Sequence, residues 1–208
     1  MTTTTSDVEQ ELAIDPATAD VLFREARTAN TFTDEPVSEE TAQAIYDLMK
    51  MGPTMMNNQP MRITWVRSEA ARETLVNRMA EGNRPKTLSA PLVAVLSFDT
   101  EWHEHFATFL PHAPDRKEAF DGADNAAARS HVGNSNAHLQ AGYFIMAVRA
   151  VGLHAGPMGG FDAAGVDEDF HAGTTQRTFM VVNIGKPGEN AWRPRLPRFD
   201  YQTATTTI

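Results

Sequence analysis

Three arginines stand within six residues near the end of the chain, in Arg193-Pro194-Arg195-Leu196-Pro197-Arg198. On an extended segment Arg193 and Arg195 project to the same side, and the intervening prolines limit flexibility. Guanidinium forks so arranged match the oxygens of a phosphate dianion; a solvated basic tail balancing acidic neighbours reads the same way. A second stretch, Gly152-Leu153-His154-Ala155-Gly156-Pro157-Met158-Gly159-Gly160-Phe161-Asp162, holds four glycines within nine residues. Such a backbone can approach a flat ligand closely and offer unobstructed N–H donors, although glycines also make ordinary turns. No segment matches a P-loop or a dinucleotide fingerprint. Asn83 and Lys86, three apart, offer an amide and an ammonium to one helical face, or Lys86 is a plain surface charge. Gly52-Pro53-Thr54-Met55-Met56-Asn57-Asn58-Gln59-Pro60 gathers polar side chains between two prolines, so it is expected to run extended; the plain alternative is a polar connection. His103-Glu104-His105 sets two imidazoles at i, i+2, with His112 nearby and His131 and His138 further on. Without an HExxH pattern or a cysteine, a zinc site has thin support. A metal-dependent hydrolase built on these histidines stays as an alternative, and there is no GxSxG elbow for a serine hydrolase.

The elements that must position these residues follow from hydrophobic spacing and caps. Asp15-Pro16 opens a helix through Val21, Leu22 and Phe23 that gives way near Thr28. Ser38 with Glu39 and Glu40 opens a second, with Ala42, Ile45, Leu48 and Met49 as its buried stripe and Gly52-Pro53 as its stop. Met61 to Val66 reads as a strand, Glu69 to Ala80 as a helix, and Leu92 to Phe98 as a central strand covered on both faces. Residues 101–123, polar with prolines and histidines, form an excursion or lid. The longest helical pattern runs from Asn125 to Val151, with a stripe of Ala137, Ala141, Phe144, Ile145 and Val148. Its small residues Gly133, Ala137, Ala141 and Gly142 permit close packing of a second helix, and Gly152 ends it. Thr178 to Ile184 is another strand, and the tail past Arg198 is extended. The order α, α, β, α, β, α, β predicts an α+β layered domain over 15–208, preceded by a Thr-rich disordered tail over 1–14.

Composition narrows the function classes. With 208 residues, 41% hydrophobic and 22% charged, the chain can bury a substantial core. A formal net charge of -9 repels phosphate backbones, and no segregated basic face argues for nucleic acid. The absence of cysteine removes disulfides, thiolate metal sites and a cysteine nucleophile, and fits a reducing cytoplasm. No apolar run approaches the ~20 residues that span a bilayer. The opening residues lack the features of a secretory signal. The expectation is a soluble, cytoplasmic protein.

Four of these segments occur in an order that resembles the nitroreductase family, from about Arg24 to Pro197. Pro53-Thr54-x-x-Asn57-x-Gln59-Pro60 is similar to the family's Pro-Ser-x-x-Asn-x-Gln-Pro. Gly152 to Asp162 resembles its Gly-Leu-x-x-x-Pro-x-Glu-Gly-Phe loop, and Arg193-x-Arg195 its Lys/Arg-x-Arg. The resemblance implies a layered fold with a mixed central sheet flanked by helices. It also implies a homodimer binding FMN at its interface, with the Pro53 segment contributed across it. Implied cofactor contacts are Arg27, Thr28 and Asn30; Pro53, Thr54, Met55 and Asn57; Asn83 and Lys86; Pro157, Met158, Gly159 and Gly160; and Arg193 and Arg195. Hydride would pass from NADH or NADPH to flavin N5 and then to a nitro compound, quinone or aldehyde. Lys86 is the implied catalytic cation, stabilising negative charge on the reduced ring. Within the family the chain looks closest to the malonic semialdehyde reductase branch, through Glu25-Ala26-Arg27-Thr28 and Gly156-Pro157-Met158. Two departures stand out: Ala26-Arg27-Thr28-Ala29-Asn30 where the family has Arg-Arg-Ser-x-Arg, and Gly159 where many members have Glu. The second leaves a non-catalytic flavin-binding protein as a further alternative.

Overall fold

Strand β2 (Leu92–Asp99) organises the molecule, because all eight of its residues are buried. Its side chains alternate between two faces. Leu92, Ala94, Leu96 and Phe98 join Val182 and Ile184 in one core, whereas Val93 and Val95 join Val181 and Met158 in the other. A computed structural model describes residues 11–208 of the chain; most of the expected disordered tail, residues 1–10, lies outside the described residues. β2 pairs with β1 (Met61–Val66) on one side and with β4 (Gln176–Gly185) on the other. β4 in turn carries β3 (His154–Met158) at the edge, giving the order β1-β2-β4-β3.

The helices are α1 (Pro16–Ala19, continued by a π-turn over Asp20–Arg24), α2 (Glu39–Met49), α3 (Glu69–Arg78), α4 (Arg84–Ser89), α5 (Phe106–Phe109), α6 (Ala126–Ala150), α7 (Ala163–Phe170) and α8 (Tyr201–Ala204). The expected starts hold: Asp15, Ser38 and Ser68 each accept a backbone N–H from the first turn of α1, α2 and α3, satisfying donors that the helix cannot. α6 and α2 cover the first core with Ala137, Ala141, Phe144 and Val148 against Ala42, Ile45 and Met49. α3 and α7 cover the second through Leu75 and Val166. Each such large side chain contributes about 1.5–3 kcal/mol by leaving water. Among the described residues no helix is long and apolar enough to cross a membrane.

The α+β layering is as expected, but the sheet is not mixed: all its described pairings are antiparallel. Parallel neighbours need a crossover that carries the chain back along the strand. Two helices stand between β1 and β2. α7, at about 1.5 Å per residue, covers only ~12 Å, far short of the ten-residue β4. Other expectations also yield. β3 lies inside the glycine-rich stretch, where Gly156 and Pro157 mask a strand; its edge position, paired only to β4, tolerates proline. α7 and the short α8 were not expected. Leu48 is 49% exposed rather than part of the buried stripe. Gly133 makes room not for a helix but for Trp102 and Phe98, each 3.0 Å from where its Cβ would stand. The 101–123 excursion has a core of its own, Trp102, Phe106 and Leu110 packed with Phe120, and Trp102 donates to the Arg129 carbonyl at 2.9 Å.

Candidate functional site

The site is built where three segments meet beside β3. Residues 29–33 run alongside 186–191: Asn30 N donates to Ala191 O (3.0 Å), Gly188 N to Thr31 O (3.0 Å) and Thr33 N to Lys186 O (3.0 Å). Phe32, buried in the second core, anchors this strap. The strap passes so close over β3 that a Cβ on Gly156 would lie 2.9 Å from the Ala29 carbonyl, which is why that position is glycine. Arginines then stitch the strap to the C-terminal segment. Arg27 donates to the Arg193 carbonyl, and Arg195 donates to the carbonyls of Arg24 (2.6 Å) and Ala26 (3.3 Å).

Between these segments, α4 and the end of α6 lies a cavity of about 370 Å³. Its lining includes the expected Arg27, Thr28, Asn30, Lys86, Arg193 and Arg195, together with Arg149 and Arg198. Among the described residues no carboxylate lines it and none of these six cations has an ion-pair partner, in a chain of net charge -9. Concentrated guanidinium charge without counter-charge is the chemistry of an anion site. Arg149 is not singled out in the sequence, and Arg198 stands there in the three-arginine run but outside the implied cofactor contacts. The signal for Arg149 was its place in the last turn of the longest helix, just before Gly152.

Asn83 and the glycine-bearing loop, Pro157 to Gly160, do not line this cavity, but the loop is tied to the start of α4. Asn83, the residue preceding α4, donates its side-chain amide to Gly160 O at 3.0 Å, and Ala80 N donates to the same carbonyl at 3.0 Å. Lys86 stands one turn further on, within the cavity. Met158 is buried beneath the loop, while Gly159 and Gly160 are exposed, and nothing lies within 4 Å of where a Cβ on Gly159 would stand. Arg78 binds the loop's far end through Asp162 (3.4 Å), α7 adding Asp169 (2.7 Å).

Pro53, Thr54, Met55 and Asn57 are not brought to this cavity within the chain. Their segment is also not extended, contrary to expectation. It turns through a short 3-10 stretch, Met55–Asn57, with Met56, Asn57 and Gln59 at φ of 51°, 52° and 39°. Prolines restrict only themselves and the residue before, and local polar bonds decide the rest: Thr54 Oγ1 accepts from Gln59 N (3.2 Å) and Asn57 Nδ2 donates to Phe109 O (2.9 Å). α6 holds the segment through Asn136, whose Oδ1 accepts from Met55 N at 2.7 Å. Left-handed non-glycine residues cost about 1–3 kcal/mol each and gather at functional sites. Beside this segment a second cavity of about 480 Å³ is lined by Tyr46, Gln59, Arg62, Trp65, His105 and Phe109, among others.

The histidines serve local networks. His103 is 1% exposed, with Nε2 3.1 Å from Asp121 and 3.8 Å from both Glu101 and Glu104. Lys117 and Arg129 already pair with Glu104 (2.6 Å) and Glu101 (3.2 Å), so these acids are charge-compensated. His105 lies 3.5 Å from Asp99, and His138 packs on Phe179. Burial raises the Asp99 carboxyl, but bonds from Thr175 Oγ1 and Glu101 N, with Arg62 and His105 beside it, outweigh that and hold it below the usual value. His154, its ring tilted against Trp192, is pushed down by burial and then by Lys186 and Arg149.

Comparison with known proteins gives the family and the fold. The model of the family described as "Nitroreductase family" matches residues 23–186. A Streptomyces griseus protein provisionally named NADH dehydrogenase/NAD(P)H nitroreductase is 55% identical over 197 residues, 95% of this chain and 99% of its own. A Leptothrix cholodnii protein of the same name is 45% identical over 196 residues, 94% and 98% of the two chains. Among solved structures, a protein from Exiguobacterium sibiricum in complex with FMN superposes with a TM-score of 0.79 at 18% identity, covering 95% and 99%. The nitroreductase family protein of Streptococcus pneumoniae does so with 0.76 at 20% identity, covering 90% and 98%.

Proposed function

The chain belongs to the nitroreductase family, and from that premise we propose that it is an FMN-dependent NAD(P)H oxidoreductase acting in the cytoplasm. The observation that carries this reading is the convergence on one cavity of six cations that have no ion-pair partner among the described residues, with Asn83 tying the glycine-bearing loop to the adjoining α4. The residues present fit FMN: the arginines match its phosphate, and the open backbone at Gly159 suits a flat ring. Bound FMN supplies the hydride exchange between a reduced nicotinamide and an acceptor. The chain's own part is position and charge. Arg27, Arg193 and Arg195 would hold the phosphate, with Thr28 and Asn30 adding polar contacts. Lys86, a cation fixed on α4, would stabilise negative charge where it develops, without reorganising. Asn83, bonded to Gly160, keeps the loop and α4 in fixed relation.

The reading extends to a homodimer. Exposed apolar side chains on α2 and α6, Tyr46, Leu48, Leu139 and Tyr143, support a second copy packing there, which would let Pro53, Thr54, Met55 and Asn57 complete the partner's site across the interface. The acceptor class is a nitro compound, a quinone, or an aldehyde such as malonic semialdehyde reduced to 3-hydroxypropionate. The test is direct: protein purified with added FMN should be yellow and should consume NADH or NADPH with a quinone or nitroarene. Aldehyde assays then separate the narrow acceptor from the broad ones. Flavin retained without turnover would leave only a flavin-binding protein. A protein that binds no flavin would end the reading, and a monomer by light scattering that still holds FMN would remove the shared site.

A further inference from the structure

Arg149 is the one cation of the cavity supplied by the folded core rather than by the chain's straps or by α4. Helix α6 delivers it. The helix ends with Gly152 at φ +76°, Leu153 N bonding back to Val148 O at 3.1 Å, a closure that satisfies its last carbonyls without side-chain help. Arg149 therefore does not cap its own helix. Its Nη1 donates instead to Leu22 O, in the turn after α1, at 2.8 Å, with Met146 Sδ at 3.5 Å. Among the described residues its Nε and Nη2 make no hydrogen bond and no carboxylate pairs with it. Yet the side chain is half-buried on the cavity wall, and burial pushes its pKa down. A guanidinium on a cavity wall with open donors and no counter-ion is set to receive an anion.

The strap brings Ala26, Arg27, Thr28 and Asn30 to the cavity, only one of them charged. A phosphate dianion would meet Arg27 there and Arg193 and Arg195 from the C-terminal segment, all on exposed or irregular chain. We propose that Arg149 is a direct ligand of the cofactor phosphate, the rigid member of its cation set. The proposal rests on the FMN reading above.

Riboflavin, which is FMN without its phosphate, separates this role from a structural one. Apoprotein would be titrated with FMN and with riboflavin by flavin fluorescence, for the wild type, Arg149→Met and Arg149→Lys. Loss of charged hydrogen bonds predicts that Arg149→Met weakens FMN binding by about tenfold or more and leaves riboflavin binding unchanged. Arg149→Lys, which keeps the charge and loses the fork, should weaken FMN less, with riboflavin again unchanged; it carries the test if Arg149→Met does not fold. FMN and riboflavin weakened by the same factor would show that Arg149 only braces the turn at Leu22 and would overturn the proposal, as would unaltered FMN affinity. Wild-type protein binding neither flavin would overturn the FMN reading and this assignment with it. Wild type binding FMN normally, with Arg149→Met equally tight, would overturn this assignment alone.

Discussion

A single methyl group at Gly156 should disturb the cofactor site from below. An ideal Cβ there would sit 2.9 Å from the Ala29 carbonyl oxygen, closer than real Cβ atoms come, with Asn183 Cβ and Phe32 Cζ each at 3.5 Å. Gly156 is not among the positive-φ positions, so the penalty of Gly156→Ala is steric. Either β3 or the strap must give. The Ala29 N to Ala155 O bond, already 3.4 Å long, is the weakest point. Overpacking of this kind costs about 1–3 kcal/mol, offset by roughly 0.4–1 kcal/mol from a less flexible unfolded chain. A net loss near 1–2 kcal/mol in a chain of this size lowers Tm by about 2–8 °C. Because Arg27 is two residues from Ala29, FMN affinity should fall with it. Scanning calorimetry of the ligand-free protein gives the first quantity and fluorescence titration the second. Gly159→Ala is the matched control. It adds the same methyl where nothing lies within 4 Å and should keep stability within about 0.5 kcal/mol. If Gly156→Ala melts and binds FMN like the wild type, the strap does not rest on β3 as described.

Arg195→Ala should weaken FMN binding by roughly tenfold or more, since a charged hydrogen bond is worth about 1.5–3 kcal/mol; a flavin titration showing unchanged affinity would remove it from the phosphate site. Lys86→Ala should keep FMN bound but slow its reduction by NAD(P)H, and stopped-flow traces matching the wild type would end its catalytic role. His154 is held below its usual pKa by burial and by Lys186 and Arg149, so the unfolded chain takes up its proton first. Its contribution therefore makes stability fall as pH drops from about 6.5 through the lower folded value. Urea midpoints compared at pH 7.5 and 5 should show a smaller acid loss for His154→Phe than for the wild type, and equal losses would refute this.

The sequence reading succeeded where one physical cue decides structure locally and stumbled where neighbours decide it. β2 was legible because the seven-residue apolar run Leu92 to Phe98 suits a strand covered on both sides. The start of α2 was legible because Ser38 with two glutamates is a sufficient cap. β3 was hidden because Gly156 and Pro157 are poor strand formers, kept extended only by β4 beside them and by the Ala29 strap above. The Pro53–Pro60 segment went wrong because its shape is set by Asn136 on a helix some eighty residues away, not by its prolines. Of the cavity residues, those with a sequence motif around them were legible. Arg149 was not, since a place in the last turn of a helix does not by itself distinguish an arginine facing a cavity from one facing solvent; only the fold brings the end of α6 to the strap.

The measurement that bears most directly on the account is anaerobic mixing of the FMN-loaded protein with NADH or NADPH while the flavin absorbance is followed. The account predicts rapid bleaching, with colour restored on adding a quinone or nitroarene. A flavin spectrum that stays unchanged under excess nicotinamide would contradict it.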